Sequence, residues 1–166
     1  MDDVAKASGF GRRTLYTYFK TRDELFHEVI TKEREFIISQ LTTIVEMKLP
    51  AEKKMEKLMA IHIKTIENIV NKNETLKKEF IKRSDRIDIY RSAIDRHEKD
   101  CIAEILKAGA TDDLYQVNNF DATASIILSS LKGMEKDFIL DNFGNSSRET
   151  LKLLNKIIFK GIQNPL

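Results

Sequence analysis

The stretch Val4-Ala5-Lys6-Ala7-Ser8-Gly9-Phe10-Gly11-Arg12-Arg13-Thr14-Leu15-Tyr16-Thr17-Tyr18-Phe19-Lys20 decides how the amino end folds. Two short helical runs, about 1–8 and 12–19, flank a pair of glycines. Gly9 can take the left-handed backbone conformation that ends a helix. A helix-turn-helix needs two short helices that cross steeply over a tight turn. Ala5 supplies a small residue for the close approach, and Val4 and Leu15 fill the space between the helices. At about 100° per residue, Arg12, Arg13, Tyr16, Thr17 and Lys20 share one half of the second helix, while Leu15, Tyr18 and Phe19 share the other. One side is basic, aromatic and hydroxylic, and the other is apolar. A helix that enters a major groove needs that division, because its outer side must present donors to phosphates and base edges.

The local charge agrees. Between Val4 and Thr21 stand Lys6, Arg12, Arg13 and Lys20, and no acid. In a chain of which 33% is charged, such a window is informative. The net charge is only +2, so a nucleic-acid surface has to be local. The bland alternative is a solvated helix side.

Outward from this stretch, Thr21-Arg22-Asp23-Glu24 is a capping box, with Thr21 capping the amide of Glu24 and Glu24 reaching back. A long helix over about 22–47 follows, its inward stripe being Leu25, Phe26, Val29, Ile30, Phe36, Ile37, Leu41, Ile44 and Val45. After Pro50, helices are expected over about 51–71, 74–83, 86–108, 119–142 and 147–162. Gly109 is expected to end the helix over about 86–108, and residues 110–118 read as a loop. Strand signals, internal repeats and low-complexity tracts are lacking. With two prolines and six glycines, the chain reads as all-α, long helices joined by short connections. The division expected is a head over 1–30 and a helical body over 31–166.

The last two helices carry more than one apolar stripe. The first has Phe120, Ala124, Ile127, Leu131, Met134 and Phe138, with Leu128 and Ile139 beside them. The second has Leu151, Leu154, Ile158 and Ile162 on one side, Leu153 and Ile157 on another. Such helices need more than one neighbour. Either both are central in a monomer or a partner chain covers them; on the second reading Ile127, Leu131, Phe138, Leu151, Leu154 and Ile158 are the dimerisation residues.

Other classes find little support. Cys101 is the sole cysteine, so no intrachain disulfide or cysteine-based zinc site can form. No P-loop, G-x-S-x-G or G-x-G-x-x-G after a strand occurs, so no enzyme and no cofactor is expected. No apolar run approaches the roughly 20 residues of a membrane helix. Met1-Asp2-Asp3 does not begin a signal peptide, and a cytoplasmic setting is expected.

The run Asp3-Val4-Ala5-Lys6-Ala7-Ser8-Gly9, then Thr14-Leu15-Tyr16-Thr17-Tyr18-Phe19-Lys20, then Asp23-Glu24-Leu25-Phe26, resembles the TetR family of transcriptional regulators. The resemblance covers about thirty residues; the body matches only in helix layout. It implies that Arg12, Arg13 and Thr17 face bases and that Tyr16, Tyr18 and Arg22 touch phosphate, with Lys20 as an addition. It implies a homodimer, a double-stranded palindromic operator read in successive major grooves, and a small-molecule effector that releases the protein, more often a repressor than an activator. The family's pattern also has a helix before this motif, so the resemblance implies an internal methionine at Met1 and a head lacking its first helix. Gly11 stands where the family usually has a serine cap, and Arg13 where it has a small residue. The alternative is a helical dimer that acts through protein contacts with a non-functional head.

The resemblance places the effector pocket between the middle helices. His62, in the stripe of Met55, Leu58, Met59 and Ile66, is either a core histidine with a satisfied hydrogen bond or a polar group of that pocket. Tyr90, Ile94, His97 and Cys101 share a side of their helix and join Met59, His62, Ile66 and Met134 as ligand-binding candidates. His97 sits near the edge, and Cys101 is more often a buried small hydrophobe than a redox switch. No His spacing suits a metal. Lys82-Arg83-Ser84-Asp85-Arg86 and Asp95-Arg96-His97-Glu98-Lys99-Asp100 read as salt-laced helix surfaces.

Overall fold

The computed structural model describes residues 2–72, 85–111, 116–140, 142 and 147–162, with side chains described except at 3, 22, 23, 26, 30, 69–72, 85–90, 147 and 162. Among these residues the regular elements are all helices: α1 (Asp2–Ser8), α2 (Arg12–Tyr18), α3 (Arg22–Glu46), α4 (Ala51–Lys72), α5 (Asp85–Thr111), α6 (Phe120–Ile139) and α7 (Ser147–Ile162). The helix expected over 74–83 lies outside the described residues. The chain forms two compact units, Met1–Phe36 and Ile37–Leu166, and α3 contributes to both.

In the first unit, α1 packs on α2 across the turn. Ala5 and Leu15 are buried and Val4 is half-buried, the residues that the tight crossing requires. Gly9 ends α1 with φ of +72°, the left-handed conformation that costs an ordinary side chain about 1–2 kcal/mol. Gly11 precedes α2 with extended backbone and no side-chain cap. The start of α3 is capped as expected: the Glu24 amide donates to Thr21 Oγ1 at 3.0 Å, and Glu24 Oε2 accepts from the backbone N–H of Lys20 at 2.6 Å. The return bond goes to Lys20, one residue before the cap.

In the second unit, α4 packs against α5, α6 and α7, and α5 packs against α6. Ile37, Leu41 and Ile44 of α3, Met55, Leu58, Met59 and Ile63 of α4, Ile102, Ile105 and Leu106 of α5, Ile127 and Leu131 of α6, and Leu151 and Phe159 of α7 form one apolar core. Asn119 caps α6, its side chain accepting from the Ala122 amide at 3.0 Å.

Several expectations change. The stripe expected on α3 divides: Ile37, Leu41 and Ile44 are buried, but Val29 and Phe36 are exposed. Gly109 does not end α5, which runs to Thr111; the glycine is buried, and packing outweighs its weak helix propensity. Of the residues expected at a dimer contact, Ile127, Leu131 and Leu151 are buried in the core, and Phe138, Leu154 and Ile158 are half-buried and pack against it. Among the residues exposed on these helices are Ile126, Ser129, Ser130 and Gly133 of α6 and Leu153 and Ile157 of α7. Among the described residues no helix is long and apolar enough to cross a membrane.

Gly9 sits in open space, with nothing within 4 Å of a built Cβ. Gly9→Ala should therefore cost only backbone strain, about 1 kcal/mol. Gly9→Asn, whose side chain tolerates the conformation, should cost less. Thermal unfolding followed by circular dichroism checks the ranking.

Candidate nucleic-acid interface and buried ion network

The short helix α2 sorts its residues into two environments. Leu15 faces inward, while Arg12, Arg13, Tyr16, Thr17, Tyr18 and the following Lys20 are exposed. The turn of α2 holds the basic residues outward because Leu15 is fixed against α1. Tyr18 corrects the wheel reading, which put it with the apolar half; it is 72% exposed, at the last position of a seven-residue helix. Thr17 Oγ1 donates to the Arg13 carbonyl at 3.1 Å, which leaves its oxygen lone pairs available as acceptors. Arg12 lies over the Tyr16 ring, 5.6 Å from Cζ to centroid, within cation–π range. Its Nη1 also donates to Asp2 Oδ2 at 3.3 Å. The side chain of Arg22 lies outside the described residues.

The second unit has a buried ion network that the sequence reading only touched at His62. His62 of α4 has an acid on each ring nitrogen. Nδ1 is 2.9 Å from both Glu98 oxygens, and Nε2 is 3.0 Å from Glu135 Oε1. Both Arg91 amino groups donate to Glu135. Arg91 also lies 3.5 Å from Asp95, which pairs with Lys132. His62, Arg91, Glu98 and Glu135 are all buried. Three elements, α4, α5 and α6, are therefore joined by His62, Arg91 and Lys132 facing Glu98, Glu135 and Asp95.

Two acceptors on one imidazole require two N–H donors, so the ring is an imidazolium. Burial by itself would lower its pKa. The charge of Glu98 and the hydrogen bonds of Glu135 and Glu98 outweigh that and raise it from 6.5 to about 9. Burial would likewise raise the Glu135 carboxyl, but its bonds to His62 and Arg91 and their charges hold it below the ordinary 4.5. His62, Arg91 and Glu135 are hydrogen-bonded within the network, which is what makes their burial tolerable; Asp95 Oδ1 has no hydrogen bond and faces Arg91 at 3.5 Å.

Of the remaining ligand candidates, Met59, Ile94 and Cys101 lie in the apolar core, and Ile66 is buried. His97 and Met134 are half-buried, and His97 Nε2 meets Thr42 Oγ1 at 2.9 Å. The side chain of Tyr90 is outside the described residues. Burial, with the nearby charges of Glu104 and Glu98, pushes the Cys101 thiol up to about 11. A thiol so protonated is a small hydrophobe, not a redox nucleophile. The stretch 95–100 is not all surface: Glu98 falls on the same side as Ile94 and Cys101 and is buried with them. One charged residue set into each of three apolar stripes, His62, Glu98 and Glu135, was the overlooked signal. Among the described residues no group of His, Cys, Asp or Glu has the geometry of a metal site.

A short helix with a basic outer face, packed across a glycine turn on a second short helix, is a helix-turn-helix arrangement. Residues 1–29 match the family model of bacterial regulatory proteins, tetR family. The HTH-type transcriptional regulator YhgD of Bacillus subtilis is 39% identical over 62 residues, 37% of this chain and 27% of that protein. The chain thus matches about a quarter of its relative's length. In fold it is similar to a transcriptional regulator from Cytophaga hutchinsonii (TM-score 0.76, 17% identity, 99% of this chain and 88% of the other). It is similar also to Bacillus subtilis FadR in complex with stearoyl-CoA (0.70, 13%, 98% and 88%) and to the TetR-family regulator PfmR of Thermus thermophilus (0.65, 18%, 98% and 88%). The head thus carries the tetR-family sequence pattern over residues 1–29, and the chain as a whole is similar in fold to these regulators.

The imidazolium fixes the pH dependence of the body. A pKa raised on folding contributes stability that is complete below about 6.5 and lost as pH rises through about 9. The depressed Glu135 acts oppositely, contributing above 4.5 and failing on acidification. The melting temperature should therefore fall between pH 6.5 and 9, by a free energy of roughly 3 kcal/mol. His62→Gln should flatten that arm while lowering the whole curve. A level wild-type profile across the window would contradict the charged ring.

Proposed function

We propose that this chain is a dimeric DNA-binding transcriptional regulator, acting as a repressor that a small molecule releases from a palindromic operator. The observation that carries the reading is the outer face of α2, where Arg12, Arg13, Tyr16, Thr17, Tyr18 and Lys20 are exposed together on a segment with the tetR-family pattern. Two such heads related by a dimer axis dock in major grooves about one helical turn apart. The partner surface is the outer side of α6 and α7. Ser129, Ser130 and Gly133 allow close approach there, and Ile126, Leu153 and Ile157 supply apolar area.

The effector enters the body among α4, α5 and α6, where Met59, His62, Ile66, Ile94, Cys101 and Met134 are found. FadR, similar in fold, holds stearoyl-CoA, which makes an acyl-CoA one candidate. A purely aliphatic tail beside His62, Glu98 and Glu135 would strip polar partners from buried ions at a cost. An effector with hydrogen-bonding groups at that depth is favoured. A ligand that prefers the conformation with the wrong head spacing shifts the population off the operator.

Salt-dependent duplex binding by the full-length protein tests the reading. A helical dimer acting only through protein contacts would show none. Tyr16→Ala and Lys20→Ala should weaken binding to all sequences alike, whereas Arg13→Ala and Thr17→Ala should change which operator is preferred. Equal losses on every sequence for Arg13→Ala would remove its base-reading role. Ile126→Asp or Ile157→Asp should give a monomer in sedimentation, with operator affinity lost and the helical content kept.

A further inference from the structure

We propose that Asp2 is a positioning residue for operator specificity, holding the Arg12 guanidinium over Tyr16 so that it meets a base edge in preference to backbone phosphate. The inference rests on the DNA-binding reading above. Asp2 lies at the start of α1, across the turn from α2, and stands just outside the acid-free window of residues 4–21. Its carboxylate reaches Arg12 by two contacts. Nη1 donates to Oδ2 at 3.3 Å, and Nε lies 3.1 Å from Oδ1. The other side of the same guanidinium faces an aromatic ring, 5.6 Å from the Tyr16 centroid. Arg12 is thus clamped between an acid of one helix and a ring of its own, ten positions from the acid in sequence.

The two side chains of this ion pair are 62% and 61% exposed. Pairs so exposed contribute little to stability, so the contact is poorly explained as glue for the head. Its effect falls on what Arg12 can do. A free arginine on a DNA face is a flexible cation that any phosphate can capture, and phosphate capture carries no sequence information. An arginine already paired with a carboxylate has to lose that partner before it gains a phosphate. The Nη2 amino group is not engaged by Asp2, and Arg donors aimed at guanine O6 and N7 are the commonest specific contact in the major groove. Asp2 therefore taxes the unspecific mode, and by ordering the side chain beforehand it lowers the entropic cost of the specific one.

The test uses the full-length protein and duplexes selected from a random pool by the wild type, compared with an unrelated duplex over a salt series. Asp2→Asn should bind the unrelated duplex more tightly, by up to about fivefold per head. Its salt slope should steepen by about one per head. Reselection with Asp2→Asn should lose information at the base pair that Arg12→Ala also loses. The double variant should behave as Arg12→Ala alone, because Asp2 acts through Arg12. An Asp2→Asn protein that keeps the wild-type consensus and the wild-type ratio of specific to unspecific affinity overturns the proposal. So does one that weakens on all duplexes equally, the mark of a merely structural role. A wild type without salt-dependent duplex binding overturns the DNA-binding reading itself, and the proposal with it.

Discussion

A protonated imidazole between two carboxylates governs how the helical body is put together. His62 belongs to α4, Glu98 to α5 and Glu135 to α6, and each hydrogen bond crosses from one helix to another. Apolar packing is tolerant of small slides, because one methyl group can replace another at little cost. Charged hydrogen bonds in a core are not, since a lost partner leaves a buried ion unpaired. The network consequently restricts the three helices to one register, and the surrounding Met55, Leu58, Ile102 and Leu131 supply the bulk of the burial. The charge sum within it is balanced when the ring is protonated, which is why the ring holds its proton well above the range usual for histidine.

The head obeys a different economy. It is small, its helices α1 and α2 have seven residues each, and among its described side chains few are buried. Local devices stand in for a large core: a left-handed glycine at the turn, a capping box at the start of α3, and a leucine wedged against an alanine. Each of these is short-range. They leave the rest of α2 exposed, since its one buried residue, Leu15, faces inward.

That contrast explains what could be read in advance. The outward face of α2, the Gly9 turn and the Thr21–Glu24 cap depend on residues within four positions of one another, and the sequence displays them directly. Tyr18 was misplaced because a helical wheel assumes that the helix continues, and α2 stops at that residue. The ion network was not legible. His62 lies 36 residues from Glu98 and 73 from Glu135, and no local pattern announces that three lone charges in three apolar stripes converge. The two apolar sides of α6 and α7 pose a related problem: periodicity shows that both exist, but not which side the core takes. The structure gives the inner side Ile127, Leu131 and Leu151 and the outer side Ile126, Leu153 and Ile157.

The lone thiol of Cys101 has a use beyond its packing. It is shielded from solvent and almost wholly un-ionised at neutral pH, so an alkylating reagent reaches it only when α5 parts from its neighbours. With no second cysteine to compete, the pace of that labelling is a clock for breathing of the helical body. Any compound that settled among these helices would slow or quicken that clock.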